Sequence, residues 1–164
     1  MNRNSLVATI NSVCNEKLVQ AKMPDGTCLK YLHVFDRPHD GEQIGITEEG
    51  YWCVADEGKI WPLKSVDHSH FFFLLLYTPL KEIIISIKNG LKSLDLPEAI
   101  IITFPFDELI LGAIQTGWKD QALKWTEEGF PLNEEMLLYL CNNDKQSKVW
   151  LKHQRERLSE IFNI

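Results

Sequence analysis

The residues best equipped for chemistry form the run Asp67-His68-Ser69-His70, with His39-Asp40 as a second pairing of imidazole and carboxylate. On an extended segment residues i and i+2 point to the same side, so His68 and His70 could grip one metal ion while a carboxylate completes the shell. No second ligand spacing supports the pair, and it borders the apolar run FFFLLLY, so solvated loop histidines are the plainer reading. A small metal-dependent hydrolase using His68, His70 and nearby carboxylates stays open as the catalytic alternative.

Acid–base work needs two groups converging on one cleft. Candidate carboxylates are abundant (Asp36, Asp40, Glu42, Glu48, Glu49, Asp107, Glu108, Glu134, Glu135), but most fall in turns or first helical turns, where solubility and the helix dipole already account for them. There is no nucleophile elbow, phosphate loop, dinucleotide fingerprint or His-Glu-x-x-His helix. Cys14, Cys28, Cys53 and Cys141 lie far apart, without a C-x-x-C pair. Reduced thiols in a cytoplasmic protein fit this usage, with Cys53 and Cys141 reading as core residues rather than nucleophiles. The expectation is a non-catalytic protein without cofactor.

Charge points elsewhere. From Asp36 to Glu57 seven acids (Asp36, Asp40, Glu42, Glu48, Glu49, Asp56, Glu57) face a single base, Arg37, and the whole chain carries −6. That balance argues against direct nucleic-acid binding, which needs clustered Lys and Arg. The one basic cluster, Lys148, Lys152, His153, Arg155 and Arg157, is diluted by Glu156 and Glu160 and reads as a solvated helix face. Strand alternation sets Trp52 and Val54 opposite Tyr51, Cys53 and Ala55, which allows one aromatic to be exposed among the acids, although a soluble hairpin whose aromatics both cover the core is the plainer reading. Acids around an aromatic anchor suit a basic protein partner, through steering and a buried hot spot.

These residues need elements to hold them. The 164-residue chain suits one domain, 1–164, with an N-terminal helix and strands in 1–66 and mainly helix in 67–164. Leu6, Ile10, Val13, Cys14 and Leu18 fall at helical spacing. KLVQAKM and TCLKYLHVF form a hairpin across Asp25-Gly26, and QIGIT, YWCVA and KIWPL supply further strands. Thr78 is placed as an N-cap before Pro79, and Asn89-Gly90 as the end of that helix. EAIIITF reads as a buried strand or extended crossing segment. One helix spans Asp107 to about Glu127, closed by Gly129; another begins after Asn133, and SKVWLKHQRERLSEIF makes the last, with Trp150, Leu158, Ile161 and Phe162 inward. The fold class expected is α+β, a small antiparallel sheet with a helical layer.

The run without charged residues from His68 to Leu80 is shorter than the roughly 17–25 residues of a spanning helix, so it reads as core. The N-terminus is a poor secretion signal, consistent with a cytoplasmic location and no membrane contact. A small-ligand carrier, with Phe71–Leu76 and the Trp118/Trp125 stripe forming a pocket, is a third reading, against which core packing is the plainer one.

The segment ALKWTEEGFPLNEEMLLYL followed by HQRERL, through Ala122, Trp125, Gly129, Pro131, Leu132, Leu140, Gln154 and Arg157, resembles the helical end of bacterial immunity proteins of polymorphic toxin and contact-dependent inhibition systems. The resemblance covers about a quarter of the chain. It implies an acidic immunity or antitoxin-like inhibitor that neutralises a basic toxin or nuclease domain. It carries over no individual binding residue. The contact surface expected from charge is Asp36, Asp40, Glu42, Glu48, Glu49, Trp52, Asp56 and Glu57.

Overall fold

In the computed structural model, which describes residues 3–13 and 15–143, helix α1 (Arg3–Val13) leads into five strands: β1 (Val19–Lys22), β2 (Cys28–Asp36), β3 (Gln43–Thr47), β4 (Trp52–Asp56) and β5 (Lys59–Pro62). Every expected strand of 1–66 is present. The sheet they make is not the small antiparallel one expected but a closed barrel in the order β1-β2-β3-β4-β5. Consecutive strands alternate direction, so in a five-strand meander the first and last run the same way, and the barrel closes through a parallel contact, Lys22 beside Lys59. Lys22 N–H donates to Gly58 O there at 2.8 Å.

Closure buries both faces. Ala21, Leu29, Tyr31, Cys53, Ala55 and Ile60 fill the barrel, while Leu32, Val34, Ile44, Ile46, Trp52 and Val54 face outward into a larger core shared with the helices. The run Trp52-Cys53-Val54-Ala55 is apolar on both sides for this reason. A register shift between His33 and Phe35 lets β2 present both Val34 and Phe35 to the outer core.

Val66–Tyr77 is a 3-10 helix, whose three-residue period stacks Ser69, Phe72 and Leu75 into one buried row. Helix α2 (Leu80–Ser93) meets it at 105°. No single helix among the described residues is long and apolar enough to cross a membrane. The N-cap expected at Thr78 is not made: Pro79 holds that position, and Leu80 N–H is taken by Glu128 Oε2 at 2.7 Å. Nor does Asn89-Gly90 end α2. Gly90 lies within it, packed so tightly on β2 that an added Cβ would stand 2.1 Å from Val34 O.

EAIIITF is not a strand. Glu98–Thr103 forms a 3-10 helix, with Ile100 N–H donating to Pro97 O at 3.1 Å. A closed barrel offers little free edge, so this segment satisfies its backbone internally. The single helix expected from Asp107 is broken into α3 (Phe106–Ile114) and α4 (Lys119–Glu127) by a turn through Gly117. Leu109 to Ile114 are all buried, making α3 the centre of the helical layer. Gly129, at φ +108, closes α4, and Asn133 Oδ1 accepts from Met136 N–H at 3.0 Å to cap α5 (Glu134–Asn143) as expected. The expected last helix and its basic cluster, with Gln154 and Arg157, lie outside the described residues.

Candidate functional site

The turns of the barrel carry the acids. Because the strands alternate, the β2–β3 and β4–β5 turns emerge at one end and the β3–β4 turn at the other. Pairing of Asp36 with Gln43, and of Gln43 with Ala55, brings Asp36, Glu42 and Asp56 side by side. Asp40 belongs to the same β2–β3 turn. Glu57, at φ +45, and Gly58, at φ +79, make the two-residue β4–β5 turn. Asp36, Asp40, Glu42, Asp56 and Glu57 therefore gather at one barrel end.

Arg37 organises this end. It is 3% exposed, and its guanidinium donates to both oxygens of Asp40, at 2.9 and 2.6 Å, to Glu42 Oε2, and to the Phe71 carbonyl. The bond from Arg37 holds the Asp40 carboxyl below the usual carboxylate range. Glu42 moves the other way: partial burial raises it, outweighing Arg37, and the charges of Asp40 and Asp56 add to the rise. Two carboxylates thus share one buried cation, and like charge accumulates above it. Asp36 is exposed, 3.0 Å from His33 Nε2. Lys59, paired across β4–β5 with Asp56, and Lys22 beside it flank the Asp56 side, whereas the Asp36–Asp40 side has Arg37 beneath it.

Three expected contact residues are elsewhere. Glu48 and Glu49 stand at the opposite end, where Glu48 Oε1 accepts from Lys30 N–H at 3.2 Å and Glu49 pairs with Lys64 at 3.0 Å. Trp52 is not an exposed anchor: it is 2% exposed, with Nε1 donating to Thr103 Oγ1 at 3.1 Å and its ring edge-on to Phe104. Its neighbour Tyr51 is half-buried, with Arg3 4.7 Å and Lys64 5.2 Å from its ring. A cleft of about 200 Å³ opens beside it, lined among others by Tyr51, Lys64, Ser65, Thr103 and Glu108.

The aromatic that sequence reasoning missed is Tyr77. It is 52% exposed, at the end of the 3-10 helix, its ring 5.8 Å from that of His39 and 5.4 Å from that of Trp118. His39 neighbours Asp40 in the acidic turn, and its Nε2 lies 3.2 Å from Thr78 Oγ1. A period of three would have revealed it, since His68, Phe71, Leu74 and Tyr77 form the less buried row of that helix.

The histidine pair is not brought together by its backbone. In a 3-10 helix residues i and i+2 lie on different sides, and His70 Nδ1 is 2.7 Å from Asp67 O. Among the described residues no three His, Cys, Asp or Glu side chains group as metal ligands. Cys53 is enclosed in the barrel, where burial pushes its thiol far up. Phe72, Phe73, Leu75, Leu76 and Trp125 are core rather than pocket. No protein-family model, no curated protein and no solved structure matches the chain.

Proposed function

We propose that the chain is a non-catalytic protein-binding module, an immunity or antitoxin-like inhibitor that neutralises a basic toxin or nuclease domain through the barrel end bearing Asp36, Asp40, Glu42, Asp56 and Glu57. One observation carries the reading. Two separate turns converge five carboxylates on one end, and the cation paired with two of them, Arg37, is buried. A partner's Lys and Arg would meet a surplus of negative charge there, only partly offset by Arg37, Lys22 and Lys59, gaining long-range steering and losing it as salt rises.

The test is capture of a basic protein from lysate at low and high salt, with two charge-reversed variants. Reversal of Asp36, Asp56 and Glu57 to Lys should abolish low-salt capture; reversal of Glu48 and Glu49, at the other end, should leave it intact. Capture insensitive to the first variant, or none by folded protein, refutes the reading.

A further inference from the structure

We infer that Tyr77 and His39 form an aromatic ledge that receives an arginine side chain of the partner. The inference rests on the reading above and adds to it the recognition chemistry of one spot.

Tyr77 is exposed yet held. Two rings brace it at steep angles, His39 at 81° and Trp118 at 68°, and Trp118 is itself packed on Phe73 at 5.6 Å. A half-exposed tyrosine fixed in this way offers contact area with little rotamer freedom left to lose on binding. His39 is anchored in turn by Thr78, whose carbonyl accepts from Trp125 Nε1 at 2.9 Å. The ledge is thereby tied to the core of the helical layer.

Its surroundings select the occupant. Because His39 belongs to the acidic turn, the exposed ring of Tyr77 beside it draws a cation to its π face within a field of negative charge, whereas an apolar side chain gains no such electrostatic return. Arginine fits better than lysine, because its guanidinium is planar, weakly hydrated and stacks on rings while its N–H groups reach a carboxylate. The carboxylate nearest His39 in sequence is that of Asp40, 30% exposed although both its oxygens accept from Arg37.

Hexa-arginine and hexa-lysine peptides are the probes, titrated into the full chain at low salt and followed by NMR shifts of Tyr77 and His39. Tyr77→Leu, checked by an unchanged thermal melt, should weaken hexa-arginine roughly fivefold, leave hexa-lysine nearly unmoved, and be rescued by Tyr77→Phe. Equal affinities in wild type and Tyr77→Leu, or shifts confined to other residues, overturn the ledge. If both peptides still weaken on neutralising Asp36 and Asp56 to Asn, the acidic-end reading survives that loss. No binding of either peptide to the folded wild type overturns both.

Discussion

Trp52 Nε1 donates to Thr103 Oγ1 at 3.1 Å, and Thr103 Oγ1 donates onward to Ile100 O at 2.7 Å. This relay joins the outer face of the barrel to the 3-10 turn leading into α3, and it commits Trp52 to the fold. Thr103→Val would leave the buried indole N–H without its acceptor, at a cost of about 1–3 kcal/mol. In a Trp52→Phe background the donor is gone, so the same threonine change should cost measurably less. Urea unfolding of the four proteins in a double-mutant cycle gives the coupling; additive costs would show that the relay contributes nothing.

Gly90 offers a test in which two principles disagree on sign. Inside a helix, Gly→Ala ordinarily gains about 1 kcal/mol from propensity. Here the new Cβ would meet Val34 O at 2.1 Å and Val34 Cγ1 at 2.7 Å, one of them backbone that cannot turn aside. Overpacking should win, and Gly90→Ala should lose about 1–3 kcal/mol. A raised melting temperature would mean that α2 can lift off β2 cheaply.

That glycine also shows where the sequence stops being legible. Asn89-Gly90 carries a helix-stop signature, and only the approach of α2 to Val34 reveals the glycine as a packing device. The strands could be read, because alternation and Asp-Gly, Glu-Gly turns are local signals. Barrel closure could not, since it hangs on one parallel contact between Lys22 and Lys59 set by the accumulated twist of all five strands. Four successive apolar residues, Trp52 to Ala55, were the available hint of a strand buried on both faces. The acids were visible as a cluster in sequence, but their division between two barrel ends depends on strand direction, and Tyr77 on a 3-10 period that apolar patterning does not announce.

Thiol chemistry should separate Cys28 from Cys53. Cys28 is exposed at the start of β2, whereas Cys53 is enclosed, and burial holds it in the unreactive protonated form. Brief alkylation of the native protein near pH 8, followed by peptide mapping, should modify Cys28 and spare Cys53 until denaturant is added. Equal labelling of both would imply that the barrel opens on the timescale of the reagent.

The acidic end should leave opposing marks on stability against pH. Asp40 is depressed in the folded state by its bond from Arg37, so its contribution is present above the unfolded carboxylate value and lost as pH falls through the lower folded value. Glu42 is raised by burial, so its contribution is present below the unfolded value and lost as pH rises through the higher folded one. Asp40→Asn should therefore flatten the rise of stability with pH on the acid side of the carboxylate range. Glu42→Gln should remove a fall on its upper side. Arg37→Met strands both carboxylates over an apolar side chain; because each keeps nearly a third of its surface in solvent, the cost at neutral pH should be on the order of 2–3 kcal/mol, below the roughly 3–5 of a fully buried pair. That loss should shrink in acid, where protonation leaves less charge for Arg37 to balance. Melting curves from pH 3 to 7 measure all three, and parallel curves for wild type and both carboxylate variants would show that neither the bond from Arg37 to Asp40 nor the burial of Glu42 couples its ionisation to folding.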